Sequence, residues 1–151
     1  MPSRGNARMA IESIARLQRV LHDLALVPRK VAAMAAPRLT RPLQAQFRAG
    51  KDPYGNNWAP LKPSTLKTGR RPPPLTGFTR ELRDGTKAVQ GRAGVRLHVG
   101  ARYGYFHQVG FRAGKTRVPP RRILPQFGLP KEWRIILVRS AREAARAAMG
   151  R

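Results

Sequence analysis

From Gly50 to Leu66 the chain carries three prolines, two glycines, two adjacent asparagines and one of its two tryptophans. Prolines at positions 53, 60 and 63 remove amide donors and fix φ, so neither a helix nor a central strand can run through this stretch. It is an elbow around which the rest of the fold has to be built. Asp52-Pro53-Tyr54-Gly55 has the order of a β-turn: Asp at the first position, Pro pre-set at the second, Gly releasing the chain at the fourth. Asn56 and Asn57 tolerate unusual backbone angles, and the turn delivers Trp58 onto the core. Pro60 and Pro63 hold the chain extended beyond it, and Ser64 is placed to cap a short turn through Leu66.

Helical patterning precedes the elbow. Ala10, Ile14, Leu17, Leu21 and Leu24 recur at steps of four and three, one apolar stripe of a helix, with Arg8, Arg16 and Arg19 outside it. Ser3 or Asn6 can cap its start, and Val27-Pro28 marks its end. Pro28 then opens a second helix running to about Phe47, with a kink or break expected at Pro37 and Pro42 and a C-cap at Gly50. Both helices read as packing elements.

Strand-like sequence follows the elbow. Thr68 to Pro74 reads as an exposed, basic, polyproline-like loop. A short helix is expected after Gly77. Thr86–Gln90 and Val95–Gly100 flank Gly91-Arg92-Ala93-Gly94, the pattern of a β-hairpin, and Val95, Leu97 and Val99 alternate with Arg96 and His98, so one strand face is buried and the other wet. Tyr103 to Gly110 is the densest aromatic cluster. Arg112 to Arg117 reads as a flexible basic loop, anchored by aromatics before it and Pro119-Pro120 after it, so that it projects as an arm. Pro130 opens a last helix whose apolar face is Trp133, Ile136, Leu137, Ala141, Ala144 and Ala148. These elements predict one α+β domain over 1–151: N-terminal helices at about 6–48, a loop and β region at about 50–125 with a small antiparallel sheet, and a C-terminal helix at about 130–149.

Composition bounds the function. A chain of 151 residues with 41% hydrophobic content can bury roughly 70% of its unfolded surface in one core. It has no cysteine, hence no disulfide framework and no thiolate metal site. No apolar run approaches the length of a membrane span, and the first residues lack the apolar core of a secretory signal, so a cytosolic origin is the expectation. Lys and Arg total 31 against 7 Asp and Glu, a formal charge of +24 spread along every segment. A surface so basic implies an acidic partner, nucleic acid or acidic protein. His22, His98 and His107 are far apart, no paired carboxylates or phosphate loop appears, and neither catalysis nor a cofactor is expected. His107 reads as a histidine hydrogen-bonded to backbone. Basic surface beside Tyr103, Tyr105 and Phe106 leaves a free-standing nucleic-acid-binding protein as the alternative.

Several blocks, in order, resemble the virion morphogenesis and tail-completion family of tailed bacteriophages, the Mu-like and related group. They are two helices ending at Phe47, then Asp52-Pro53-Tyr54-Gly55-Asn56-Asn57-Trp58-Ala59-Pro60-Leu61, then Leu75-Thr76-Gly77 with Glu81-Leu82-Arg83. Tyr103 to His107-Gln108-Val109-Gly110 and Pro119-Pro120-Arg121-Arg122-Ile123-Leu124 follow, with a closing helix. Ile123 stands where the family often has Phe, and Phe78-Thr79-Arg80-Glu81-Leu82 replaces a Gly-Leu before Arg. The resemblance implies an α+β fold and a structural role at the head–tail junction, as tail terminator, neck ring or completion factor. It implies a homo-oligomeric ring, commonly of six copies, with neck, connector and tail-tube proteins as neighbours, DNA passing through its channel, and a location in the virion. Asp52, Pro53, Gly55, Trp58, Pro60, Leu61, Tyr103, His107, Gly110, Pro119 and Arg121 are then the structural motif. Arg70, Arg71, Arg92, Arg112, Lys115, Arg117 and Arg122 are the basic residues expected to face a partner or DNA.

Overall fold

The computed structural model describes residues 4–75 and 80–150, with side chains from residue 12 onward. Two helices, α1 (Arg4–Ala25) and α2 (Val27–Ala49), are separated at Leu26 by a single turn residue, and α2 has proline in its first turn. Ser3 lies outside the described residues, and Asn6 sits within α1 rather than capping it. After the elbow come α3 (Pro63–Lys67), α4 (Glu81–Gly85), β1 (Lys87–Gln90), β2 (Val95–His98), α5 (Gly104–Val109), β3 (Phe111–Ala113), β4 (Thr116–Val118) and α6 (Lys131–Met149). Thr76 to Thr79, which include most of the Leu-Thr-Gly block, are outside the described residues.

The fold is α+β, with its strands in two separate antiparallel hairpins, β1–β2 and β3–β4. In the first, Lys87 pairs with His98 and Gln90 with Val95. The turn between them is closed by the Gly91 amide donating to the Gly94 carbonyl at 2.6 Å.

The core lies where α2 meets α6 and the first hairpin. Ala35, Ala36, Leu39 and Leu43 bury one face of α2 against Trp133 of α6 and Ala88 of β1, with Val95, Leu97, Ile136 and Leu137 packed around them. Small residues at 35 and 36 let the backbones approach closely. Arg38 spans the two helices, donating to Ser140 Oγ at 3.2 Å and to Glu143 at 2.7 Å. Thr40 Oγ1 receives the Ala88 amide at 3.0 Å, tying the hairpin to α2. A second cluster, Phe47, Trp58, Leu82, Ala101 and Ile123, joins the end of α2 to the elbow and the later loops.

Three expectations change. Of the kink or break expected at Pro37 and Pro42, the break does not occur: both lie inside an uninterrupted α2. Each removes a hydrogen bond, at about 3 kcal/mol, but seven buried residues from Ala32 to Phe47 hold the helix on the body, and the Pro37 ring is exposed. Ser64 does not cap α3; Lys62 occupies the cap position without a side-chain bond, and Pro63 begins the helix. Most consequentially, α1 touches α6 and α2 but does not bury its apolar stripe against them. Every side chain from Glu12 to His22 is exposed, the apolar stripe included, and the side chain of Ala10 lies outside the described set.

Glycines permit one close crossing. A Cβ on Gly85 would lie 2.6 Å from Gly100 Cα, so α4 and the end of the first hairpin touch through bare backbone. Thr86 fixes the same place, its hydroxyl donating to the Leu82 carbonyl and receiving the Gly100 amide at 3.4 Å.

Candidate functional site

The elbow is built by Asp52. One carboxylate oxygen receives the amides of Tyr54 and Asn56 at 2.9 and 2.8 Å, and the other receives the Asn56 side-chain amide at 2.9 Å. The Gly55 amide donates to the Asp52 carbonyl at 3.0 Å, which is the expected turn. Gly55, at φ 92°, takes the left-handed angle, and neither asparagine does. Gly50 ends α2 at φ 65°, its amide returning to the Gln46 carbonyl. The Trp58 amide donates back to the Gly50 carbonyl at 2.8 Å, closing the loop on itself.

Trp58 is thereby carried inward to 6% exposure. Its ring meets Phe47 edge-on at 5.5 Å between centroids, and its indole N–H donates to the Arg122 carbonyl at 2.9 Å. The neighbouring Arg121 is 7% exposed and points back at the elbow, donating through Nε to the Ala59 carbonyl at 2.8 Å and through Nη2 to the Pro60 carbonyl at 3.0 Å. Burial lowers the Arg121 pKa from its ordinary value. The guanidinium nevertheless remains the bidentate donor that two otherwise empty carbonyls require.

The third strand of this knot is α5. The Gln108 carboxamide oxygen receives the amides of Ile123 and Leu124 at 2.8 and 2.9 Å, and its nitrogen donates to the Leu124 carbonyl at 2.9 Å. The Arg121 amide donates to the His107 carbonyl at 2.7 Å. Gly110, at φ 79°, lets the chain leave α5 beside Pro120; a Cβ there would sit 3.0 Å from the Pro120 nitrogen and the Val118 oxygen. From α2, Gln46 donates to the Ile123 carbonyl at 2.7 Å. Residues 46, 58, 108 and 121–124 thus form one hydrogen-bonded scaffold around Ile123, which is fully buried.

Asp52, Pro53, Gly55, Trp58, Pro60, Leu61, His107, Gly110, Pro119 and Arg121 therefore belong to three segments that the fold joins. Tyr103 is exposed, its ring edge-on to His107 at 6.1 Å. Gln46 and Gln108 do as much as any of these, although neither stands out as a candidate from the sequence. Gln108 had a signal, its place in the His-Gln-x-Gly block; Gln46 had none.

His107 departs from expectation. Its Nδ1 is buried without a hydrogen-bond partner, and the ring sits edge-on to Phe111 at 5.8 Å. Burial, then the charges of Arg121 and Arg70, lower its pKa below the ordinary histidine value. Both effects favour the neutral form.

The basic candidates are scattered. Arg70 and Arg71 are exposed on a loop whose Pro74 is buried, so the proline run leans on the body rather than standing free. Arg92 is exposed at the turn of the first hairpin. Arg122 is half-buried, its guanidinium stacked over Phe127 at 5.6 Å, so it is no free surface cation. Arg112, Lys115 and Arg117 share the second hairpin, which is regular β structure rather than a flexible loop. Arg112 and Arg117 are direct cross-strand partners, all residues from Arg112 to Arg117 are exposed, and Phe111 anchors the base against Phe106 at 6.1 Å. Like charges directly opposite one another destabilise a strand pair, so this hairpin carries a local cost that an anion would relieve. Exposed Tyr105, Phe106 and Val109 lie beside it on α5. Among the described residues no three His, Cys, Asp or Glu side chains gather as a metal would require, and no helix is long and apolar enough to cross a membrane.

Compared with known proteins, residues 11–143 match the model of one family, described as the phage virion morphogenesis family. No curated protein and no solved structure matches the chain.

Proposed function

The chain belongs to the phage virion morphogenesis family, and on that premise we propose that it is a structural protein of the head–tail junction, a tail-completion, terminator or neck component that forms a ring, most simply of six copies. In this reading the knot around Ile123 is the subunit's scaffold, and the exposed surface makes the assembly contacts. Neighbouring neck, connector and tail-tube proteins contact its rim, and the genome passes through its channel. The observation that carries the reading is the second hairpin: three exposed cations, two of them paired across the strands, in a chain of formal charge +24. An anionic surface, channel DNA or an acidic ring neighbour, is what offsets that repulsion.

The test replaces Arg112, Lys115 and Arg117 by Gln together. The expected result is a folded protein that leaves heads and tails unjoined in an assembly assay. If DNA is the anion, the salt dependence of DNA binding flattens as well, by up to about 3 in log–log slope. Unchanged particle yield and unchanged DNA binding would overturn the proposal. Exposed Tyr105 and Phe106 beside the hairpin favour a second reading, a free-standing nucleic-acid-binding protein that stacks bases on these rings. That reading requires tight single-strand binding by the isolated protein, lost in Tyr105→Ala/Phe106→Ala, with normal particle assembly.

A further inference from the structure

α1 poses a physical problem that the body of the protein does not solve. It is 22 residues long, about 33 Å, yet all its side chains from Glu12 to His22 are exposed. Ile14, Leu17 and Leu21 are 57%, 58% and 57% exposed, and Leu24 and Val20 extend the same apolar strip. Amphipathic helices owe most of their stability to burying that face, and a contiguous strip of this kind on a monomer marks an interaction surface.

Charge selects the partner. Over its full length, Arg4–Ala25, α1 carries Arg4, Arg8, Arg16 and Arg19 against Glu12 and Asp23, a net +2 in a chain of formal charge +24. At 100° per residue Glu12, Arg16, Arg19 and Asp23 fall on the side opposite Ile14, Leu17 and Leu21, which leaves no cation on the stripe from Ile14 to Leu24. A segment evolved to meet DNA or an acidic protein would present arginines there. A stripe free of cations instead fits a partner whose apolar row is bordered by basic residues, where arginines on the stripe itself would meet repulsion.

The chain supplies such a partner. On the outer side of α6, Ile135, Val138, Arg142, Ala145 and Met149 recur at steps of three and four, the same spacing as the α1 stripe. Ile135 is 56% and Met149 68% exposed, and exposed Arg134, Arg139 and Arg146 border the row. Two helices with matching three–four rows pack along one another at a shallow angle. The exposed aromatics of six-residue α5 offer no row of comparable length.

We propose that α1 is a docking arm that packs along the outer face of α6 in a second copy of this chain; the assignment rests on the ring reading above. One arm and one receiving face per subunit make a head-to-tail contact, which closes into a ring when the rotation allows.

The absence of cysteine allows a direct test on the full chain. A Leu17→Cys variant is mixed with a Val138→Cys variant of distinguishable mass under mild oxidation. The expected product is the mixed disulfide, well above that formed when Thr116→Cys on the second hairpin replaces Val138→Cys. Separately, Leu17→Glu/Leu21→Glu should lose the oligomer in native mass spectrometry while the melting of the body stays that of the wild type. An assembled wild type with no preferred mixed disulfide, or a double-Glu variant that assembles normally, overturns the arm and leaves the ring standing. A double-Glu variant that forms the oligomer but fails to join particles assigns α1 to another virion protein and also overturns it. A single copy of the wild type per isolated particle overturns the ring reading itself.

Discussion

Trp58→Ala is the sharpest probe of the scaffold. The substitution removes a ring at 6% exposure, its edge-on contact with Phe47 and the hydrogen bond from its indole N–H to the Arg122 carbonyl. Truncating a packed aromatic costs about 3–5 kcal/mol through lost transfer energy and the cavity left behind. The Arg122 carbonyl also loses its donor, at about 1 kcal/mol. A total near 4–6 kcal/mol is a large share of the roughly 5–15 kcal/mol that holds a domain folded. At about 2–4 °C per kcal/mol for a chain of this size, the melting temperature should fall by roughly 8–24 °C. Trp58→Phe separates the contributions: it keeps an aromatic against Phe47 and deletes the N–H, so it should cost about 1–2 kcal/mol. Urea unfolding followed by circular dichroism measures both, with Trp133 left as a fluorescence reporter of the α2–α6 core. The order wild type, Phe, Ala in midpoint is expected. A Trp58→Ala protein as stable as wild type but unable to assemble would refute the reasoning and make Trp58 a contact residue.

Arg121→Met should cost about 2–4 kcal/mol, less than two charge-assisted bonds would suggest, because the guanidinium's own desolvation is relieved. Arg121→Lys should recover only part of it, since an ammonium cannot fork to the Ala59 and Pro60 carbonyls; full rescue by Lys in urea titrations would contradict the geometry. His107 gives a pH dependence of fixed sign. Its folded-state pKa lies below the ordinary value of about 6.5, so above that pH both states are neutral and the group contributes no slope. As pH falls through 6.5 the unfolded chain binds a proton that the folded site resists, and stability declines until the folded-state pKa is passed. His107→Phe should therefore lose less stability between pH 7.5 and pH 5 than wild type; equal losses in both proteins would exclude His107 as the cause.

Local chemistry determined a great deal by itself. Asp52, Pro53 and Gly55 dictate the turn, Gly50 the end of α2, Gly91 to Gly94 the first hairpin, and the spacing of Trp133, Ala144 and Ala148 the buried face of α6, because each depends on atoms a few residues apart. The ordered blocks from Asp52 to Leu124 were also readable as a family pattern, whereas what those residues do was not. Arg121 looks like one of many surface arginines until the fold sets it under the Ala59 and Pro60 carbonyls, and Gln46 carries no signal until Ile123 arrives beside it. Pro37 and Pro42 spell a kinked or broken helix locally, and burial of α2 from Ala32 to Phe47 keeps it unbroken. The same periodicity that marks α1 and α6 as amphipathic could not tell that one stripe is covered and the other bare. Which apolar face finds a partner within the chain depends on where distant segments come to rest, and only the tertiary structure decides that.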